Sequence, residues 1–542
     1  MHKTKLLFIL FSILVYSCST DDSRSGLTVF RYNEAANITT LDPAFAKDQT
    51  IIWAANQLYN GLIQLNDQME ILPSVAKSWN ISESGVDYFF HLRKDVFFHD
   101  SPAFPAGRGR RVVAGDFVFS FNRIIDPKVA SPGSWLFNNL RKSKEMPAFE
   151  AHDDSTLIIH LEQPFPPFLR LLSMQYCSVI PREAIAYYGN EFRRNPVGTG
   201  PFIFKMWQEG VKLIFLKNQR YFEIENGLRM PFLDAVAITF VPDKQSAFLE
   251  FVKGNLDLMS GIDAVYKDEL LTREGRLQPS YSSKINLVTQ PYLNTEYLGF
   301  MVDRSNLIMN DNIPAKEIRM AINLAFDRKK MIRYLRNNIG IPGCQGITPN
   351  GLPSFDSSHV FYDYDPGRAR QLLASAGYPE GVGLPSITLT STPDYLDICK
   401  YIQHQVAGIG IDLKIEVSPP AAVKEMKSEA KLPFFRASWI ADYPDAENYL
   451  AMFYSRNFCP QGPNYTHFSN PEFDRLYEKS MSTVNDSIRY GYYRAMEKIM
   501  MEESPVVILY YDQVLRFVQK NIHGLGSNPM NLLILKHVKK SG

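Results

Sequence analysis

Ala76-Lys-Ser-Trp79, then Tyr88-Phe-Phe-His-Leu-Arg-Lys-Asp-Val-Phe-Phe-His99, then Ala114-Gly-Asp-Phe-Val-Phe-Ser120 with Arg123 form the block on which the fold is read. Tyr88 to Phe98 is dense in aromatic residues, which suit a pleated, half-buried surface, and reads as paired strands. Asp116 to Ile125 spaces its apolar residues as a helix does. Asp116 is expected to cap that helix, because a carboxylate at the start accepts from unpaired backbone N–H groups. The connection Ser101 to Val113 is long and basic. Its Arg108, Arg110 and Arg111 stand among glycines and are expected to form a solvated surface loop.

Upstream, Leu27 to Tyr32 alternates like a strand, a loop runs from Asn37 to Pro43, and Asp48 to Leu65 is helical in character. Downstream come a strand at Thr156 to Leu161 and a proline-started helix at Phe168 to Met174. Strand character returns at Phe202 to Phe204, Lys212 to Leu216 and Ala235 to Val241, then a helix at Gln245 to Lys253 and a short strand at Leu256 to Met259. A second series begins after Pro291. A strand at Glu296 to Val302 precedes one long helix from Ala315 to Asn338, with Ile318, Ala321, Ile322 and Ala325 on one face. Then come helix Pro366 to Ala376, strand Ser386 to Thr390, helix Tyr395 to Val406 and strand Ile411 to Val417. Helices Pro471 to Met481 and Ser487 to Glu502 and strands Val506 to Tyr511 and Leu515 to Val518 close the chain. Alternating strands and helices imply an α/β architecture, a sheet covered by helices.

A chain of 542 residues is too long for one hydrophobic core, so several domains are expected. Lys3 and Lys5 precede the apolar run Leu6 to Tyr16, which is too short to span a bilayer and reads as a signal peptide. The run ends at Val15-Tyr16-Ser17-Cys18, similar to the lipobox in which a cysteine is acylated, so Cys18 is the expected lipidation site. The polar stretch after it suits a short tether. The net charge of +1, with acids and bases mixed, gives no clustered basic face and argues against a nucleic-acid partner. Beyond Cys18 lie Cys177, Cys344, Cys399 and Cys459. Three full pairings are open, with Cys344 and Cys459, both in Gly/Pro-rich loops, the favoured bridge.

Catalytic signatures are missing from the sequence: it holds no G-x-S-x-G, H-E-x-x-H, G-x-x-x-x-G-K-[S/T] or strand-borne G-x-G-x-x-G. Its ten histidines are scattered, and no cofactor or metal is expected. The 36 Phe are accounted for by core packing. Tyr443, Tyr449, Tyr454 and Tyr465, beside loops, suit the lining of a ligand cleft.

The opening block resembles the signature of solute-binding protein family 5, the peptide-type extracellular receptors of ABC importers. Leu41-Asp-Pro43, Leu58-Tyr-Asn-Gly-Leu62, Asn195-Pro-Val-Gly-Thr-Gly-Pro-Phe202, Arg319 to Arg328, Trp439-Ile-Ala-Asp-Tyr-Pro-Asp445 and Ser469-Asn-Pro-Glu-Phe-Asp474 fit the same family, in order, from residue 27 to the C-terminus. The resemblance implies a two-lobed periplasmic-binding-protein fold of the cluster C type, with three domains around a ligand cleft. The expected division is signal peptide 1–17, lipidated tether 18–26, domain I in three parts (27–50, 197–290 and 505–542), inserted domain II at 51–196 and domain III at 291–504. The chain is expected to cross between lobes near Gln290 and near Ser504.

The resemblance also implies a function. A monomeric, lipid-anchored receptor in the periplasm or at the cell surface would capture short peptides and pass them to the permease subunits of an ABC importer, without acting as an enzyme. Asp442 of the Trp-x-Ala-Asp-Tyr stretch would hold the ligand's α-amino group, and Arg436 its carboxylate. Trp439 and Tyr443 would line the cleft, and the backbone from Asn33 to Asn37 would face them. Capping the helix near Pro444 is the competing role for Asp442, and an ion pair within the protein the competing role for Arg436. The same fold hosts receptors for nickel chelates, haem, glutathione or oligosaccharides, and a surface lipoprotein acting as an adhesin is the alternative from another class.

Overall fold

The computed structural model describes residues 26–143, 147–261, 263, 266–303 and 314–541. The expected signal peptide, the lipidation site Cys18 and all but the last residue of the tether lie outside the described residues.

The alternation of strands and helices builds one 11-stranded mixed sheet. Its path runs through Leu413–Val417, Ile387–Ser391, Phe434–Ile440, Ile285–Phe300, Val506–Gln519, Leu258–Ser260, Val29–Asn33, Ala235–Thr239, Lys212–Lys217 and Phe202–Gln208. The first strand lies parallel to two neighbours, with Val29 opposite Ala235 and Tyr32 opposite Leu258. Two long strands at the centre, Ile285–Phe300 and Val506–Gln519, pair antiparallel along most of their length. The register breaks between Pro291, opposite Gln513, and Thr295, opposite Tyr511. Asp512 alone therefore faces Tyr292, Leu293 and Asn294, a bulge that bends the ladder at mid-sheet.

Two cores lie on either side of that bend. One gathers Phe30, Phe90, Phe117, Leu213, Val236 and Leu535. The other gathers Leu298, Ile322, Leu389, Phe434, Met496 and Ile508. The return strand contributes Val506 to Tyr511 to the second core, then passes Asp512 into the other half of the molecule. A smaller antiparallel sheet, ordered Ala76–Ile81, Asp87–Leu92, Thr156–His160 and Phe149–Asp153, packs with helix Ala114–Ile125 into the first core.

Local readings change where tertiary partners intervene. Tyr88 to Phe98 is not a strand pair: Asp87–Leu92 is a single strand between two others, and Phe97 makes only an isolated bridge to Arg111. Asp116 is the third residue of its helix, where its carboxylate accepts from the Val113 N–H at 2.9 Å and pairs with Arg110 at 2.7 Å. Arg110 also reaches Glu183 at 2.7 Å, so this part of the basic segment is a clamp rather than solvated loop. The helix expected over Asp48 to Leu65 stops at Leu58, whose carbonyl accepts from the Gly200 N–H. Residues Ile63–Leu65 then form a hairpin strand with Ile71–Pro73. The helix expected from Ala315 to Asn338 is two, Lys316–Leu324 and Arg328–Leu335, because Asp327 caps the second through the Lys330 N–H at 3.0 Å. Val506 to Val518 is one strand, not two.

Several signature residues prove to be structural. Arg123 grips Asp42 with both terminal nitrogens, fastening helix Ala114–Ile125 to the first segment. Added Cβ atoms at Gly198 or Gly200 would come within 2.1 Å of the Leu58 oxygen and 2.4 Å of its carbonyl carbon, so only glycine lets that loop close on the helix end. The favoured Cys344–Cys459 bridge is not formed. Cys459 Sγ lies 3.4 Å from His467 Nε2, Cys344 comes just after the short strand Ile341–Pro342, and Cys177, Cys344, Cys399 and Cys459 are all buried free thiols.

Candidate functional site

Two adjoining cavities open where the central strands bend. Their shared waist is built by Gln49 and Trp53 of helix Gln49–Leu58, by Tyr292 of the bulge and by Asn531 of the C-terminal tail. The Trp53 indole N–H donates to the Asn531 carbonyl at 2.7 Å. Arg516 donates to Asn531 Oδ1 at 3.1 Å and to the Leu532 carbonyl at 2.9 Å, which pins the tail against the sheet. Burial holds the Arg516 guanidinium down to about 10.

The smaller cavity, about 340 Å³, is walled by Ala46, Trp135, Tyr176, Asp442, Tyr443 and Pro444 among others. Strand Phe434–Ile440 delivers its far wall, and the Ala441 N–H then donates to the Leu293 carbonyl, anchoring the next residues to the bulge. Asn448 fixes the turn around Asp442. Its Oδ1 accepts from Trp439 Nε1 at 2.9 Å and from the Asp442 N–H at 3.1 Å, while its Nδ2 donates to Asp442 Oδ2 at 3.3 Å. Asp442 keeps solvent access through the cavity, yet protein surrounds it on most sides, and burial pushes its carboxyl above the ordinary carboxylate range against the opposing pull of Asn448. Among the described residues no cation pairs with it. Asp442 does not cap the short helix Glu447–Leu450, which follows Ala446; the carboxylate that meets its first N–H is that of Asp445, whose Oδ1 accepts from Glu447 at 3.0 Å.

Tyr443 also lines this cavity, its hydroxyl bonded to Glu447 and its ring 6.2 Å from that of Trp135. Trp439 and Arg436 lie behind the wall rather than on it. Arg436 pairs with the buried Glu296 and lies over the Tyr395 ring. Its own strand runs antiparallel to the strand carrying Glu296, which brings the two together.

The larger cavity, about 500 Å³, is lined by Tyr32, Asn33, Glu34 and Ala35 from the first segment and by Arg336, Asp512 and Gln513 from the opposite side. The Asn33 side chain is occupied structurally: its Oδ1 accepts from the Val241 N–H at 2.8 Å and its Nδ2 donates to the Val241 carbonyl at 3.0 Å. Asn37 is exposed beside Gly210, off both cavity walls. The structure therefore brings Asp442, Tyr443 and Asn33 to the cleft and leaves Arg436, Trp439 and Asn37 outside it. Sequence reasoning missed Trp53, Tyr292, Asn448 and Asn531. Helical spacing assigns Trp53 to a core, and only the Pro291 break in strand character marks the neighbourhood of Tyr292.

A cleft between two α/β halves joined by paired central strands defines the class, a periplasmic binding protein of the cluster C type. The chain belongs to the bacterial extracellular solute-binding proteins, family 5, whose family model matches residues 70–458. It is 28% identical over 505 residues to "Heme-binding protein A" of Haemophilus influenzae, with 90% of this chain and 88% of that protein covered. It is 25% identical over 488 residues to the "Dipeptide-binding protein" of Escherichia coli, with 87% of each covered. Among solved structures, the periplasmic binding protein DppA from Helicobacter pylori in complex with peptide STSA superposes with a TM-score of 0.74 at 26% identity, covering 95% of this chain and 98% of that one.

Proposed function

We propose that this protein captures short peptides with free amino termini in the cleft and delivers them to the permease subunits of an ABC importer. One observation carries the reading: the Asp442 carboxylate stands in a cavity wall with Asn448 as its side-chain partner and, among the described residues, no ion pair to the protein, although Lys47 lines the same cavity. A carboxylate partly desolvated in a cavity wall without a counter-charge is disfavoured, and a ligand ammonium supplies that charge together with its hydrogen bonds. The peptide backbone has donors and acceptors common to all sequences, so a wet, aromatic-walled cleft suits many of them. Asp442 and Tyr443 contact the ligand, whereas Arg436 and Trp439 act from behind the wall.

The reading extends to the rest of the chain. The lobes divide at the bulge around Tyr292 and at Asp512, and closure about that line excludes water and strengthens the polar contacts. The protein works as a monomer outside the cytoplasmic membrane, held by lipid on Cys18, and binds its cargo without cleaving it. Both the dipeptide-binding relative and the peptide-bound neighbour support a peptide cargo. The haem-binding relative supports the competing cargo.

Purifying the protein from its host and identifying what co-purifies by native mass spectrometry tests the proposal. Recovery of intact peptides supports it. Recovery of haem, glutathione, a nickel chelate or an oligosaccharide would overturn it.

A further inference from the structure

The larger cavity has a charge that nothing in the peptide reading has used. Five charged side chains line it. Lys244 pairs with Asp263 at 2.5 Å and Arg336 pairs with Asp512 at 2.8 Å. Glu34 is the acid left over. Its Oε1 is shut off from solvent and has no hydrogen-bond partner, and neither has the hydroxyl of Tyr32, two residues earlier on the same wall and only 1% exposed. Glu34 and Tyr32 also feel each other electrostatically, since the Glu34 charge raises the Tyr32 phenol. Two orphaned polar groups beside a space of about 500 Å³ are what a polar ligand group leaves when it is absent.

We infer that Glu34 selects among bound peptides, forming with Tyr32 a subsite for a cationic side chain such as that of lysine or arginine. This rests on the peptide reading, because Asp442 must hold the amino end in the neighbouring cavity for a later side chain to enter this one. The two cavities share their waist at Gln49, Trp53, Tyr292 and Asn531, so a ligand anchored in one reaches the other without leaving the cleft. An ammonium or guanidinium would satisfy the Glu34 oxygen, and its donors would also meet the Tyr32 hydroxyl. An apolar side chain such as that of norleucine would leave both without a partner. Burial alone lifts Glu34 to about 7, so its charge is available for the ligand to stabilise rather than spent on a protein partner.

The experiment is calorimetric titration of the intact protein with tripeptide pairs that differ only in charge: Ala-Lys-Ala and Ala-Ala-Lys against the same peptides with norleucine for lysine. At one of the two positions lysine is expected to bind about tenfold more tightly. In Glu34→Gln the lysine-to-norleucine ratio is expected to fall toward one, and in Glu34→Lys to favour a glutamate peptide. Thermal melting checks that each variant folds. The wild-type ratio is also expected to widen from pH 6 to pH 8 as Glu34 ionises, with Tyr32, Lys244, Asp263, Tyr266, Tyr292, Arg336 and Asp512 the other groups facing the cavity. Norleucine peptides that bind with no lysine preference at either position, or a preference that survives in both folded variants, would overturn the inference while leaving the peptide reading intact. Failure of every peptide to bind would overturn both.

Discussion

Replacing Asp442 by asparagine removes one charge and little else. The Asn448 amide that donates to Asp442 Oδ2 at 3.3 Å finds an equivalent oxygen on the new side chain, and the Asp442 N–H keeps its bond to Asn448. Folding should therefore be unaffected, with a melting temperature within about a degree or two of wild type. Ligand binding should not be. A hydrogen bond between charged partners contributes about 1.5 to 3 kcal/mol, and each 1.4 kcal/mol is tenfold in affinity, so the loss should be roughly tenfold to a hundredfold for a peptide with a free amino terminus. The carboxylate sits in a partly desolvated wall before the ligand arrives, which places the effect toward the upper part of that range. Calorimetry at pH 7.5 with a free and an N-acetylated peptide completes a cycle. The acetylated peptide should bind wild type and variant equally. Because burial raises the Asp442 carboxyl, its binding form is lost as pH falls, and affinity should begin to decline above the ordinary carboxylate range. Equal affinity of both proteins for the free peptide would refute the reasoning.

The packing dictates further outcomes. Glu296→Gln leaves the Arg436 guanidinium buried without its acid and should cost about 3 to 5 kcal/mol in urea unfolding; an unchanged midpoint with lost peptide affinity would instead give Arg436 to the ligand. Gly198→Ala forces a Cβ to within 2.1 Å of the Leu58 carbonyl and should destabilise by about 1 to 3 kcal/mol or more, read as a falling melting temperature. Burial raises Glu497 to about 7, so between the ordinary glutamate pKa and that value the folded state holds more protons than the unfolded one. Stability should fall as pH rises through that window, on the order of 3 kcal/mol in all. Glu497→Gln keeps an oxygen for the Thr348 N–H and should flatten the profile, whereas an unchanged pH dependence would show that other groups set it.

Much of the fold was legible because its determinants are local. Asn470 caps helix Pro471–Met481 through two N–H groups, and that helix has the bounds its sequence announces. Asp327 carries the same kind of signal, but the apolar stripe running past it concealed a break that the cap enforces. The site was legible only where residues adjacent in sequence carry it. Asp442 and Tyr443 share one short stretch with the Asn448 that holds them. For Arg436 the sequence left two roles open, the ligand carboxylate or an ion pair, because its partner in the structure, Glu296, lies 140 positions away and meets it only through strand pairing. The waist draws on residues 49, 53, 292 and 531, and no periodicity relates a bulge to a terminal tail. Glu34 was passed over for a related reason: nothing in its neighbours reveals that its carboxylate will find no partner.

The central bulge sets how the molecule can bend. On one side of Asp512 the two long strands are laced from Ile285–Gln519 to Pro291–Gln513, and on the other from Thr295–Tyr511 to Gly299–Val506, with a smaller one-residue break at Leu509. Sliding one strand along its mate would break both laced stretches together, while folding about the unlaced point between them breaks neither. A bend at Asp512 therefore costs fewer ladder hydrogen bonds than a slide, and closure of the proposed lobes is expected to follow that line rather than shear along the strands.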